Sequence, residues 1–185
     1  MAEYLDIVDV TGMPTGEIIE RETAHRVGIL HRTTHLWILR CGETGTEVLL
    51  QKRSQNKDSF PGCYDISSAG HMPAGVDWIP SALRELEEEL GITGISEDDL
   101  ILCGQRHIKH DDVFHGKPYK DRQISNIYCL WLDVAPDTLT LQKSEVESVI
   151  WMNLEDCIHK VKTHDATFPH AIVLEEILML PNSKA

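Results

Sequence analysis

Several features that mark particular protein classes are scarce in this sequence of 185 residues. No apolar run approaches the ~20 residues that a membrane-spanning helix needs, so no membrane association is expected. The N-terminus lacks the basic and apolar segments of a secretory signal. The five cysteines are scattered and form no Cys-x-x-Cys pair. This distribution argues against a disulfide framework or a zinc site, and it predicts reduced thiols in the cytoplasm.

Positive charge is scarce as well. The chain has 17 Lys and Arg residues against 30 Asp and Glu residues, which gives a formal net charge of -13 at pH 7. Proteins that bind nucleic acids usually carry a basic stripe, and none is found here, so no nucleic-acid partner is expected. A phosphate ester remains a candidate ligand, because a bound metal ion can supply positive charge locally.

The first half of the sequence predicts short strands. The opening segment, EYLDIVDVTGMPTGEIIER, is typical of two strands around a Gly/Pro turn. The segments THLWILRC and TEVLLQKR flank a GETG turn and predict a hairpin, and DISSAGH predicts a brief strand. A helix is expected around Ser81–Leu90.

The second half predicts two buried strands, LILCGQRHI and ISNIYCLWLDV, and then a strand running into a helix, VESVIWMNLEDCIHKV. A final helix is expected over roughly Pro169–Leu180. Mixed strands with a few helices are typical of an α+β domain or an α/β/α sandwich. No repeat or long linker divides the chain, so we expect one domain over residues 1–185.

The predicted helix SALRELEEELGI concentrates negative charge on one face. At about 100° per residue, Glu85, Glu88 and Glu89 share a face directly beside the apolar stripe, whereas Glu87 points elsewhere. Carboxylates at these spacings repel one another, and partial burial increases the cost. The alternatives are a solvated helix face and a site for a hard divalent cation such as Mg²⁺, which prefers oxygen ligands.

The residues around this helix carry a family resemblance. The loop AGHMPAG precedes the helix, and Gly91 follows its last leucine as a stop signal. From Gly70 to Ile92 the chain resembles the Nudix box, in which a glycine is followed at fixed spacing by Arg-Glu-aliphatic-any-Glu-Glu-any-Gly-aliphatic. The resemblance implies a Nudix fold, an α/β/α sandwich with a mixed sheet, and cleavage of a diphosphate linkage in a small-molecule substrate. Homodimers are common in this fold.

The resemblance also implies roles for particular residues. The metal ion, Mg²⁺ or Mn²⁺, would be held by Glu88 and Glu89, joined by Glu85 and the carbonyl of Gly70. Glu85 is in addition a candidate base for the attacking water, and Arg84 belongs to the same catalytic motif.

One position departs from the box. The pattern has a glutamate at residue 76, where this chain has Val76 followed by Asp77. In the family that glutamate holds the loop against the helix through the arginine of the motif. We therefore expect Asp77 or another nearby carboxylate to pair with Arg84.

Two segments outside the box carry further candidates. QKRSQNKDSFPG places Arg53 and Lys57 four residues apart, where two cations suit the terminal oxygens of a phosphate. SEVESVIW contains Glu145 just before a predicted core strand, where Nudix proteins often have a Glu-Val pair. Glu145 is therefore a candidate additional metal ligand or base.

A second resemblance leaves another activity open. LHRTTHLWIL, KRSQNKDSFPG and SSAGH resemble type I isopentenyl diphosphate isomerase, a Nudix-fold enzyme, and His25, His31 and His71 lie where that enzyme has metal-binding histidines. The isomerase needs a cysteine where this chain has Ala69, and a carboxylate on a later strand that reads RQISNIYCLW here. A methyl group transfers no proton, so hydrolysis is favoured. The other alternative is a non-catalytic Nudix-fold module that binds a nucleotide or a partner protein.

Histidines outside these motifs suggest substrate loops. HIKHDDVFH places His107, His110 and His115 in a predicted polar loop that is a candidate second metal site or substrate loop. His164 and His170 flank DATFP, a second candidate loop for specificity.

Overall fold

The computed structural model of the chain describes residues 2–57, 59–168 and 174–184. Strands β1 (Tyr4–Val8) and β2 (Pro14–Glu20) pair antiparallel, as the sequence predicts. Helix α1 (Arg21–Val27) follows and was not predicted. It ends at Gly28, whose φ of 82° is in the left-handed region that favours glycine.

A mixed seven-stranded sheet forms the centre of the molecule. Its strands are β3 (His31–Gly42), β4 (Gly45–Arg53), β5 (Tyr64–Asp65), β6 (Ser68–His71), β7 (Leu100–Phe114), β8 (Lys117–Trp131) and β9 (Val146–Asn153). The path β5-β4-β3-β8-β7 forms the main order, with β6 paired to β3 and β9 paired to β4. The β3–β8 pairing is parallel and the others are antiparallel. The predicted β3–β4 hairpin is therefore confirmed.

Helices cover both faces of this sheet. Helix α2 (Trp78–Leu90) packs its buried Ala82, Leu86 and Leu90 with sheet residues such as Leu36 and Leu49 on one face. On the other face, helices α3 (Leu154–Lys162) and α4 (Leu174–Ile177) contribute to a second core around Trp37. The predicted α/β/α arrangement with a mixed sheet is confirmed.

The β7–β8 hairpin corrects two predictions. Residues 107–114, expected in a polar loop, belong to strand β7, and His115 lies in the turn. Strand β7 is at the edge of the described sheet and is not buried, since Ile101 and Leu102 are 48% and 58% exposed. Pairing with β8 overrides the local polar composition, because neighbouring backbones satisfy each other's hydrogen bonds whatever the side chains are.

The C-terminal prediction is only partly covered by the described residues. Of the helix expected over Pro169–Leu180, residues 174–177 are helical and residues 178–180 are not. Residues 169–173, including His170, lie outside the described part of the chain. None of the helices among the described residues is long and apolar enough to cross a membrane.

On the side away from β8, strand β3 pairs with two different strands along its length, and this arrangement leaves a gap in the sheet. Residues 33–36 of β3 pair with β6, whereas residues 38–42 pair with β4. Strands β4 and β6 therefore lie along the same side of β3 without pairing to each other. Glu89 of helix α2 lies beside this gap, where its carboxylate accepts hydrogen bonds from both β6 and β4.

Candidate active site

The predicted site residues meet in one cleft with a volume of about 690 Å³. Its lining includes all the candidates from the box helix, its glycine loop and the two flanking segments: Arg53, Lys57, Gly70, Arg84, Glu85, Glu88, Glu89 and Glu145. Helix α2 presents its acidic face to this cleft and ends at Gly91, which has a φ of 69°. Glu87 is exposed and does not line the cleft, in agreement with its predicted angle.

Glu89 is the most deeply buried of the three helix carboxylates, with 6% of its surface exposed. Its Oε2 accepts hydrogen bonds from the Ala69 backbone N–H at 3.3 Å and from Gln51 Nε2 at 3.5 Å. Both donors are neutral, so burial dominates and raises the pKa of Glu89 to about 8. Among the described residues, no cation donates a hydrogen bond to Glu89.

The raised pKa predicts how metal-free stability depends on pH. Glu89 ionises near 4.5 in the unfolded chain and near 8 in the folded protein, so the folded protein retains its proton between these values. The contribution of protonated Glu89 to the free energy of unfolding is complete below about pH 4.5 and is lost as the pH rises through 8. The measurement is urea unfolding with a chelator at pH 5 and at pH 8. Between these pH values, the free energy of unfolding should fall less in the Glu89→Gln variant than in wild type, by on the order of a few kcal/mol. Equal losses in the two proteins would contradict this assignment.

Glu85 approaches the backbone of Gly70 so closely that a larger residue at position 70 would require the Glu85 side chain to move. A Cβ at position 70 would overlap the carboxyl group of Glu85. Burial raises the pKa of Glu85, and the neighbouring Arg84 opposes that increase. The close approach places the Glu85 carboxylate against the backbone of Gly70, the two groups that the box resemblance pairs at the metal.

Arg84 is held by carboxylates of its own helix. Its guanidinium donates to Glu85 Oε1 at 2.5 Å, to Glu88 Oε2 at 2.7 Å and to the His71 carbonyl at 3.2 Å. Of the two predicted alternatives, the structure therefore shows other nearby carboxylates as the partners of Arg84, and Asp77 instead occupies the N-cap position of helix α2. The buried Nε of Arg84 has no hydrogen-bond partner among the described residues.

A different ion pair holds the loop at the altered box position. Asp6 Oδ2 of strand β1 accepts from Gly75 N and from Arg32 Nη2, each at 2.9 Å. Arg32 Nη2 also donates to the Val76 carbonyl at 3.2 Å. The loop is thus tied to strands β1 and β3 through residues 75 and 76, without a glutamate at position 76. Sequence reasoning missed Asp6 and Arg32, which carry no motif and are 26 residues apart.

The two predicted phosphate-binding cations are held differently. Arg53 Nη1 donates to Asp65 Oδ2 at 2.8 Å, while Nε and Nη2 donate to the Ser59 carbonyl at 3.1 and 2.9 Å. Lys57 forms an ion pair with Glu145, so the predicted phosphate ligand and the predicted metal ligand contact each other. Arg53 is therefore fixed in the cleft wall, whereas Lys57 is held at one carboxylate.

A buried carboxylate that the sequence did not identify supports the far wall of the cleft. Glu176 of α4 is fully buried and accepts from His35 Nδ1 and Trp37 Nε1, each at 2.9 Å, and from Arg106 Nη1 at 3.0 Å. Burial alone would raise the pKa of Glu176, but its partners, His35 first, hold it below the usual value. His35 and Arg106 both line the cleft. The contact joins residues 141 positions apart, and the sequence contains no local signal for it.

Three histidines form a second cluster in the same region. The ligand atoms of His25, His31 and His71 all lie within 4.8 Å of one another, and His25 Nε2 is 2.9 Å from His71 Nε2. Burial lowers the pKa of His25 to about 3 and that of His31 to about 4, so both rings are neutral at pH 7. Asp121 Oδ1 lies 3.8 Å from His25 Nδ1. The later strand therefore does offer a carboxylate, one residue before the segment considered in the sequence.

The helix carboxylates fit a hard divalent cation. Glu85 and Glu88 share one cation, Arg84, while the buried Glu89 accepts only from neutral donors among the described residues. Oxygen donors with surplus negative charge are the environment that Mg²⁺ prefers. The neutral imidazoles of the histidine cluster instead suit a softer transition metal.

The helix-flanked mixed sheet and the glycine loop before an acidic helix define a Nudix-type fold and site. The NUDIX domain model matches residues 30–174, so this chain belongs to the Nudix hydrolase family. It is 36% identical over 169 residues to Nudix hydrolase 3 of Arabidopsis thaliana, covering 90% of this chain but 21% of that protein. It is 34% identical over 154 residues to an uncharacterised Nudix hydrolase of Clostridium acetobutylicum, covering 83% of this chain and 71% of that protein.

The solved structures support the same fold. The crystal structure of DR0079 from Deinococcus radiodurans matches with a TM-score of 0.61 and 19% identity, over 87% of this chain and 90% of that one. At 19% identity, this similarity shows that the two proteins share a fold, and it shows nothing about a shared activity.

Proposed function

We propose that this protein is a divalent-cation-dependent pyrophosphohydrolase that cleaves a diphosphate linkage in a nucleoside diphosphate or a related nucleotide derivative. The observation that carries the proposal is the convergence of Glu85, Glu88 and Glu89 with Arg53 and Lys57 in one cleft. Carboxylates and cations in one cleft suit a substrate that brings phosphate oxygens to a metal ion. The scattered cysteines favour a cytoplasmic setting.

The proposed cation, Mg²⁺ or Mn²⁺, would be held by Glu85, Glu88, Glu89 and the Gly70 carbonyl, with Glu145 as an additional ligand. When bound, such a cation neutralises charge on phosphoryl oxygens and lowers the pKa of a bound water. The chain itself orients these carboxylates: α2 sets their spacing, and Arg84 fixes two of them.

Other residues would act on the substrate directly. Glu85, half-buried and facing the cleft, is the proposed base that removes a proton from the attacking water. Of the five N–H groups of Arg53, four already have acceptors in Asp65 and Ser59, which leaves one Nη1 hydrogen for a phosphate oxygen. Lys57 supplies the second phosphate contact.

The size and polarity of the cleft favour a nucleotide over an isoprenoid substrate. A volume of about 690 Å³ lies within the ~300–1,000 Å³ range of small-molecule sites. The lining is dominated by charged and polar side chains, and its apolar members are few: Phe60, Ile66, Ala69 and Ile108. A polar leaving group satisfies such a surface better than a hydrocarbon chain does.

The test is phosphate and nucleotide release from a panel of nucleoside di- and triphosphates, nucleotide sugars and isopentenyl diphosphate. We expect release that needs Mg²⁺ or Mn²⁺, stops with a chelator and is fastest with a nucleotide derivative. No release from any compound would contradict the proposal and favour the non-catalytic binding module.

The histidine cluster favours one second candidate, double-bond isomerisation of isopentenyl diphosphate. His25, His31 and His71 converge with Asp121 beside the cleft, as a metal-dependent isomerase would require. Ala69 still argues against it, because its methyl group transfers no proton. Migration of the double bond without phosphate release in the isopentenyl diphosphate sample would establish the isomerase and refute the hydrolase.

A further inference from the structure

The Lys57–Glu145 ion pair joins two side chains to which the proposed function gives different ligands. Both residues line the cleft, and their side chains are 24% and 35% exposed. Glu145 is a proposed metal ligand, and Lys57 is a proposed phosphate ligand. Neither proposed contact can form fully while the two side chains neutralise each other.

The backbones of both residues are fixed relative to helix α2. Gln142 N donates to the Glu89 carbonyl at 3.0 Å, and Glu145 N donates to the Gln142 carbonyl at 2.8 Å. Ser54 N donates to the Glu145 carbonyl at 2.8 Å, and Lys57 N to the Ser54 carbonyl at 3.1 Å. This chain of hydrogen bonds ties both segments to the acidic helix, so a change of partner requires rotation of side chains alone.

Lys57 is better suited to such a change than Arg53, Arg84 or Arg106. Arg53 and Arg84 each have several acceptors, and Arg106 is bound to the buried Glu176. A lysine ammonium is a point charge on a flexible four-carbon stem, and it carries no fixed fork geometry that would be lost on rotation. A partly exposed ion pair is also weak enough to exchange.

We propose that Lys57 is an exchangeable cation. Without a bound metal ion, Lys57 neutralises Glu145. When a divalent cation binds to the Glu145 carboxylate, the Lys57 ammonium moves to the substrate diphosphate. This inference rests on the proposed function and extends it. Lys57 competes with the metal for Glu145, and Glu145 competes with phosphate for Lys57. Binding of the metal and binding of the diphosphate are therefore coupled, in addition to any direct contact between them.

The first test measures Mn²⁺ affinity of the metal-free protein without substrate, from the electron paramagnetic resonance signal of free Mn²⁺. We expect Lys57→Met to tighten Mn²⁺ binding about two- to fivefold, the range for loss of a partly exposed ion pair. The matched control is Lys52→Met, since Lys52 pairs with Glu147 at 2.8 Å and neither residue lines the cleft. That control should leave Mn²⁺ affinity unchanged.

A double-mutant cycle separates competition from general electrostatics. In a Glu145→Gln background, Lys57→Met should no longer tighten Mn²⁺ binding, because the carboxylate for which the two cations compete is absent. The reciprocal measurement is calorimetric titration of metal-free protein with pyrophosphate in the presence of a chelator. Glu145→Gln should tighten pyrophosphate binding by a similar factor, whereas Glu147→Gln should not.

The proposal is overturned if Lys57→Met behaves like Lys52→Met, or if its effect persists in the Glu145→Gln background. Glu89→Gln distinguishes this failure from failure of the proposed function. If Glu89→Gln weakens Mn²⁺ binding strongly while Lys57→Met changes nothing, the metal site stands and the exchange is refuted. If Glu89→Gln also leaves Mn²⁺ binding unchanged, both the carboxylate metal site and the exchange are refuted.

Discussion

Replacing Glu89 by glutamine is expected to lower kcat by about 10³-fold, because the loss of this proposed metal ligand would remove on the order of 4 kcal/mol of transition-state stabilisation. Glu89 is buried beside strand β6 and receives hydrogen bonds from Ala69 and Gln51. Glutamine retains the size and the acceptor oxygen, so the local packing should survive. The measurement is steady-state turnover of the best substrate at saturating Mg²⁺.

The matched control is Glu87→Gln on the same helix. Glu87 is exposed and lies outside the cleft lining, so the substitution removes one negative charge without touching the site. We expect its turnover to stay within about twofold of wild type, as surface substitutions usually have small effects. A similar loss in both variants would mean that the negative charge of the helix matters and that the position of Glu89 does not.

Replacing Glu176 by alanine is expected to destabilise the folded protein by about 3–5 kcal/mol, the usual cost of removing one partner from a buried ion pair. The substitution leaves the partly buried Arg106 without its carboxylate, and it leaves Trp37 Nε1 in the core without its acceptor. It also opens a cavity next to the second core. Urea unfolding monitored by circular dichroism measures the change in free energy.

Glu175→Ala, one residue away on the same short helix, is the control for Glu176. Glu175 is exposed, and a change in the free energy of unfolding within about 0.5 kcal/mol is expected. Because His35 and Arg106 line the cleft, Glu176→Ala should also weaken substrate binding at temperatures where the variant remains folded. Equal stability of the two variants would show that the buried network contributes little to the fold.

Local patterns predicted the elements whose signals lie within a short window. The β1–β2 and β3–β4 hairpins follow from turn residues between alternating apolar runs, and helix α2 follows from its 3.6-residue period and its Gly91 stop. The segment LILCGQRHI at the start of β7 was predicted as a strand, but its polar continuation and helix α1 were not, because their apolar periodicity is weak and tertiary contacts stabilise them. The loop assignment of residues 107–114 failed for the same reason.

The sequence by itself determined the family and the acidic face of helix α2. The spacing of Glu85, Glu88 and Glu89 fixes which side chains share a helix face, because helical geometry is local. The family follows from this spacing, and the domain match supports it. The expected role of each residue in catalysis stays a prediction that the variants above test.

Only the tertiary structure decided the partners of these residues. Three contacts join distant parts of the chain: the pairing of Lys57 with Glu145, the contact of the buried Glu176 with Arg106, and the Asp6–Arg32 pair that holds the loop at residues 75 and 76. No pattern in a window of ten or fifteen residues encodes such contacts, because they depend on strand order and on which side chains the sheet brings to one face. The sequence therefore specified the reactive groups, and the fold decided which charges neutralise one another before any ligand arrives.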